Sequence, residues 1–188
     1  MSDYRRVADS RKHHRILRLF MLTCVLLITA ACDTVDDDRI PGMPVNINLS
    51  DPGMWNTYGV AGFGDFSYFV FMDGSPREPS GFPYTDMSAT GFGGVLLIGG
   101  MDPFEMQTGV PLAYDLSCPV ERTRTIRVRI DTATFEAVCP VCDSHYDVTM
   151  AGGAPVAGPA LTGTHKYGLK RYYCHPASTG GYIINNYR

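Results

Sequence analysis

The sequence has no apolar run long enough to cross a bilayer and no large excess of charge of one sign. Its longest apolar run has 13 residues, whereas a transmembrane helix needs ~20. The formal net charge of −3 over 188 residues excludes a general nucleic-acid binder, which presents a strongly basic surface. No segment has a convincing helical period, so a helical bundle is also excluded.

Signatures of common enzyme chemistry are missing as well. The sequence contains no P-loop, no dinucleotide-binding glycine fingerprint and no recognisable pairing of a nucleophile with a base. The sequence therefore predicts no catalytic residue. We expect an electron-transfer or binding protein rather than an enzyme.

The chain is instead rich in glycine, proline and aromatic residues, with 20 Gly, 13 Pro, 11 Tyr and 9 Phe. This composition favours short strands joined by many turns, and so an all-β domain of antiparallel sheets. Residues 51–64 and 73–94 are rich in turn formers and are predicted as loops. Strands are predicted at 45–49, 66–71, 94–99, 125–130, 135–138, 167–173 and 182–185.

The N-terminal region has the pattern of a secretory signal peptide. Six of the 16 basic residues lie in the first 18 positions, and 10 basic and 17 acidic residues follow them. The apolar run from Leu19 to Ala31 comes directly after this basic segment and ends in small residues. Because a basic region, a short apolar region and a small-residue cleavage site define such signals, residues 1–31 are predicted as a signal peptide.

The end of this run, Thr29-Ala-Ala-Cys32, resembles a bacterial lipobox, in which the cysteine is acylated. The alternative is an ordinary signal peptide that ends near a cysteine. Lipidation of Cys32 predicts an extracytoplasmic protein of the cell envelope, held at a membrane by ~0.8 kcal/mol per buried methylene. Residues 32–44 predict a flexible lipidated tether, and residues 45–188 the β domain.

Two later loops each begin with Cys-Pro and form a candidate metal site. They read Cys118-Pro-Val-Glu121 and Cys139-Pro-Val-Cys142, and the predicted hairpin between them places them side by side. Cys174 lies further along the chain. Secretion would place all four cysteines in an oxidising compartment, where disulfides are the default expectation.

Segments 139–147 and 158–160, with the first Cys-Pro loop, resemble the Rieske iron–sulfur family over about residues 95–185. That family has Cys-x-His in one loop, Cys-x-x-His in the next, and then a proline loop. The resemblance implies antiparallel sheets with both loops at the tip. It also implies one-electron transfer to a protein partner through a [2Fe–2S] cluster. The residues that would support the cluster are Ser144, Tyr146, Gly158 and Pro159.

Two positions depart from the Rieske pattern. Val120 stands where the first histidine belongs, and Cys142 stands where the second belongs. A Rieske centre needs two imidazoles on one iron, and valine offers no lone pair. The ordinary site of two histidines and two cysteines therefore cannot form from these residues.

Three alternatives remain for Cys118, Cys139 and Cys142. A disulfide among them would leave a redox-inactive structural or binding module of the cell envelope. A rearranged iron–sulfur cluster would use thiolates alone. Zinc would take the three thiolates and a fourth ligand in a tetrahedral site. The candidates for the fourth ligand are His145 and Cys174.

Overall fold

A computed structural model describes residues 34–72, 74–102 and 106–187. The predicted signal peptide and the predicted lipidation site, Cys32, lie outside these ranges. Within them, no helix is long and apolar enough to cross a membrane. The described residues from Val35 onward belong to one compact unit.

The described residues form thirteen strands and two short helices. The strands are β1 (Val35–Asp36), β2 (Val45–Leu49), β3 (Phe66–Phe69), β4 (Ala89–Thr90), β5 (Val95–Met101), β6 (Thr108–Asp115), β7 (Arg129–Asp131), β8 (Glu136–Val138), β9 (His145–Asp147), β10 (Ala154–Ala157), β11 (Lys166–Tyr167), β12 (Arg171–Pro176) and β13 (Tyr182–Asn185). The helices are α1 (Pro52–Tyr58) and α2 (Pro159–Thr162).

The strands form two antiparallel sheets and one small parallel pair. The larger sheet has the order β3-β5-β6-β12-β13-β2-β4, and the smaller one has the order β10-β9-β8-β7. Strands β1 and β11 pair in parallel. The predicted all-β class with antiparallel sheets is therefore confirmed.

Strand β5 separates two hydrophobic cores. Its residues Val95 to Ile98 are fully buried, and consecutive side chains point to opposite faces of a strand. Leu96 and Ile98 belong to a first core that also contains Cys118, Cys139 and Tyr146. Val95 and Leu97 belong to a second core on the other face, with Ile47 and Ile184. The cysteine loops are thus attached to the first core.

The predicted loop over 51–64 is wrong in its first half, because residues 52–58 form helix α1. The Asp51 carboxylate caps this helix by accepting hydrogen bonds from the backbone N–H groups of Gly53 and Met54, at 2.9 and 3.1 Å. Pro52 opens the helix, where its missing N–H costs nothing. A helix of seven residues is too short to show a helical period in the sequence.

The segment predicted as a flexible tether packs against the domain. Val35 and Asp36 pair with Lys166 and Tyr167. Ile40 is only 1% exposed, and the Arg39 guanidinium lies 3.7 Å from the centre of the Tyr167 ring. Strand pairing, one buried apolar side chain and a cation–π contact together fix this segment. These contacts attach residues 35–40 to the compact unit, which begins at Val35.

Candidate metal centre

The two Cys-Pro loops have the same backbone conformation. We call residues 118–122 the first knuckle and residues 139–143 the second knuckle. The N–H of Arg122 donates to the carbonyl of Cys118 at 2.8 Å, and the N–H of Asp143 donates to the carbonyl of Cys139 at 3.1 Å. Arg122 and Asp143 both have φ of 54°, in the left-handed region that few residues adopt. The knuckles therefore correspond position by position.

The knuckles bring three sulfur atoms close together. The Sγ atoms of Cys118, Cys139 and Cys142 all lie within 4.8 Å of one another. Those of Cys118 and Cys142 are 3.6 Å apart, well beyond the ~2.05 Å of a disulfide bond. All three cysteines are free, so the disulfide predicted among them is not formed. The prediction that the three thiols lie close together is confirmed.

Burial and hydrogen bonds from backbone amides shift the pKa of two of these thiols in opposite directions. Burial raises the pKa of Cys118 to about 12, although hydrogen bonds from the N–H groups of Glu121 and Val120 lower it. Burial likewise raises the pKa of Cys139, against the N–H groups of Cys142 and Val141. The amides are thus aimed at the sulfurs in the same way in both knuckles. A cation would supply the remaining charge that the thiolates need.

Two hydroxyl groups contact the sulfurs. Tyr146 is fully buried, and its Oη lies 3.5 Å from the Sγ of Cys118. Burial raises the pKa of Tyr146, so its hydroxyl stays protonated and can donate. The Oγ of Ser144 lies 3.2 Å from the Sγ of Cys142 and accepts a hydrogen bond from the N–H of Ala160 at 3.1 Å. These are the two hydroxyl residues that the Rieske resemblance singles out.

The proline loop, residues 158–160, supports the second knuckle from outside. Gly158 has φ of 76°, and a Cβ at this position would lie 2.4 Å from the carbonyl oxygen of Asp143. Only glycine allows this approach. Pro159 then starts helix α2, whose Ala160 is buried beside Ser144. Gly158 and Pro159 thus hold the knuckle by packing and contribute no ligand atom.

The structure does not bring His145 or Cys174 to the sulfurs. In β9, Tyr146 points inward to Cys118, so His145 points to the other face, because side chains alternate along a strand. The Nδ1 of His145 lies 2.8 Å from the Glu136 carboxylate, which raises the pKa of His145. Cys174 packs against the second core, where burial raises its pKa to about 12.

Sequence reasoning missed the equivalence of the two knuckles. Both begin with Cys-Pro-Val, and this repeated tripeptide was the available signal. The equivalence places Glu121 where the second knuckle has Cys142. Val120, which stands at a Rieske histidine position, packs partly buried against the first core.

Comparison with models of known protein families gives no match, and comparison with curated proteins gives none either. The Rieske resemblance therefore stays a prediction that rests on the loop motifs themselves.

Proposed function

We propose that this protein is a lipid-anchored, extracytoplasmic β domain that binds a single metal ion, zinc in preference, through Cys118, Cys139 and Cys142. The ion would serve as a structural centre that fixes both knuckles, and the domain would act as a binding or structural module of the cell envelope. In this proposal the chain carries no Rieske [2Fe–2S] cluster.

The spacing of the three sulfur atoms carries this proposal. Zinc–thiolate bonds of 2.3 Å at tetrahedral angles put neighbouring sulfurs about 3.8 Å apart. The 3.6 Å between the sulfurs of Cys118 and Cys142 agrees with this value, and Cys139 lies within 4.8 Å of both. The three side chains can therefore meet on one ion.

The same spacing argues against a two-iron cluster. Each iron of a [2Fe–2S] cluster takes two protein ligands, and the bridging sulfides hold the two pairs apart. Three thiolates would have to divide between the irons, so one sulfur would be well separated from the other two. The compact sulfur triangle has no such outlier.

A second candidate function is one-electron transfer through an iron ion at the same thiolates. The hydroxyl contacts from Tyr146 and Ser144 to the sulfurs favour it, because hydrogen bonds to ligand sulfurs tune iron reduction potentials. Iron and zinc would bind to the same residues, but visible absorption and magnetic measurements distinguish the two ions.

The test is metal analysis of the full-length protein, purified in detergent with and without air. We expect one zinc per chain, no visible absorption and no Rieske electron paramagnetic resonance signal after reduction. Cys139→Ser should abolish metal binding, and Cys174→Ser should preserve it as the matched control. One iron per chain would favour the second candidate. Two irons with two sulfides, or metal-free protein with a bridge among the three cysteines, would contradict both candidates.

A further inference from the structure

Three thiolates leave one position of a tetrahedral ion unfilled. Structural zinc sites are closed by four protein ligands, whereas catalytic sites keep a water in the fourth position. The identity of the fourth ligand therefore decides whether the centre is structural or chemically open.

The matched knuckles identify the residue at this position. In the second knuckle, the first and fourth residues, Cys139 and Cys142, both contribute sulfur atoms to the cluster. In the first knuckle, the first residue is Cys118 and the fourth is Glu121. The fourth-residue amide contacts the sulfur of the first residue in both knuckles. A carboxylate oxygen is an accepted zinc ligand, with a bond of about 2.0–2.2 Å.

We propose that Glu121 is the fourth ligand of the metal ion, completing a closed site of three thiolates and one carboxylate. This inference rests on the metal site proposed above. The Glu121 carboxylate is not among the ligand atoms that lie within 4.8 Å of one another. The glutamate side chain is longer than that of cysteine, so we expect it to change rotamer and fold back over the sulfur triangle when the ion binds.

The surroundings of Glu121 leave its carboxylate available for this role. Glu121 is half-buried, and its carboxylate makes no hydrogen bond or ion pair with any residue that the structure describes. The neighbouring acids differ. Glu136 is bound to His145, and the Asp143 side chain is 89% exposed and lies 3.5 Å from the same histidine.

The test replaces Glu121 in the full-length protein and uses cobalt(II) as a spectroscopic substitute for zinc. Metal-free protein would be titrated with cobalt(II) under reducing conditions, and zinc competition would give the affinity. The variants are Glu121→Ala, Glu121→Gln and Glu121→Cys. Glu136→Ala is the matched control, because it removes a nearby glutamate and also frees His145.

We expect Glu121→Ala to weaken zinc binding about 10–100-fold, a range known for losses of groups that support a metal site. Glu121→Gln should weaken it too, with the fold kept. Glu121→Cys should restore tight binding and change the cobalt spectrum from three thiolates to four. Glu136→Ala should leave both readouts unchanged.

Two results would overturn the assignment while the three-thiolate site stands. One is an unchanged affinity in Glu121→Ala together with a three-thiolate spectrum in Glu121→Cys, which would indicate water as the fourth ligand. The other is a changed spectrum in His145→Ala with none in the glutamate variants. Failure of the wild-type protein to bind either metal would overturn the proposed function as well.

Discussion

The chemistry of the two knuckles depends on how burial acts on individual thiols. Cys118 is fully buried and Cys139 is 1% exposed, and burial raises the pKa of both above the ordinary value. In the metal-free protein both thiols are therefore protonated at neutral pH. A zinc ion has to displace these protons before it can bind the thiolates.

We predict that zinc binding at pH 7 releases at least two protons, those of the Cys118 and Cys139 thiols. Zinc affinity should consequently rise with pH, up to the raised pKa values of the two thiols. Calorimetric titration in buffers of different ionisation enthalpy measures the proton release. Binding without proton release, or an affinity that falls between pH 6 and 8, would contradict the assignment of these cysteines as ligands.

Two features decided which site residues could be predicted from the sequence: their distance along the chain, and the face of the strand to which each side chain points. The closeness of Cys118, Cys139 and Cys142 was predictable, because a hairpin joins their two loops. The exclusion of His145 was not, although it is only three residues past Cys142. It follows from the inward orientation of Tyr146 on the same strand, which depends on the packing of the first core.

At the scale of elements, the backbone of the proline loop is in direct contact with the backbone of the second knuckle. The backbone of Gly158 touches the backbone around Asp143, so the loop can hold the knuckle only with a glycine in this position. Gly109 also has a positive φ, 74°, but a Cβ there would meet no described residue within 4 Å. A comparison of substitutions at the two glycines therefore distinguishes the cost of backbone strain from the cost of steric contact.

We predict that Gly158→Ala displaces the second knuckle and weakens zinc binding at least about tenfold. Its cost in free energy of unfolding should be about 1–3 kcal/mol, because strain and collision with a carbonyl add. Gly109→Ala, the control, should cost about 1 kcal/mol from strain alone and leave zinc binding intact. Zinc competition and chemical denaturation measure both effects. Equal zinc affinities in the two variants would show that the proline loop does not hold the knuckle.

The elements that could be predicted were those with a clear pattern of their own. Strand β2 has the predicted bounds, 45–49, because its apolar and polar residues alternate. Strand β7 starts at Arg129 instead of Thr125, because Arg127 makes only an isolated bridge to Ser117. Helix α1 depends on a cap, and the docking of residues 35–40 depends on a two-residue strand pair, one buried isoleucine and one cation–π contact. Neither leaves a periodic signal.

At the scale of the whole molecule, the basic, apolar and lipobox-like segments predict a membrane anchor before the compact unit. The Cys32→Ala variant should leave the membrane fraction, because acyl chains would no longer hold it. Cys24→Ala changes a cysteine inside the apolar run and should leave membrane association unchanged. Fractionation without detergent measures both. Continued membrane association of Cys32→Ala would rule out the lipid anchor.

Strand β5, with both faces buried, links the core that carries the two knuckles to the core on the opposite side of the sheet. Trp55, the only tryptophan, has its ring centre 4.7 Å from that of Tyr182 and packs against the second core, whereas Cys118 and Cys139 belong to the first. Because both cores share this strand, we expect them to unfold together, and an ion that bound only the folded state would raise the unfolding midpoint of both. If the proposed site holds an ion, the unfolding midpoint measured from this one native indole should therefore rise with metal occupancy, with no added dye or label.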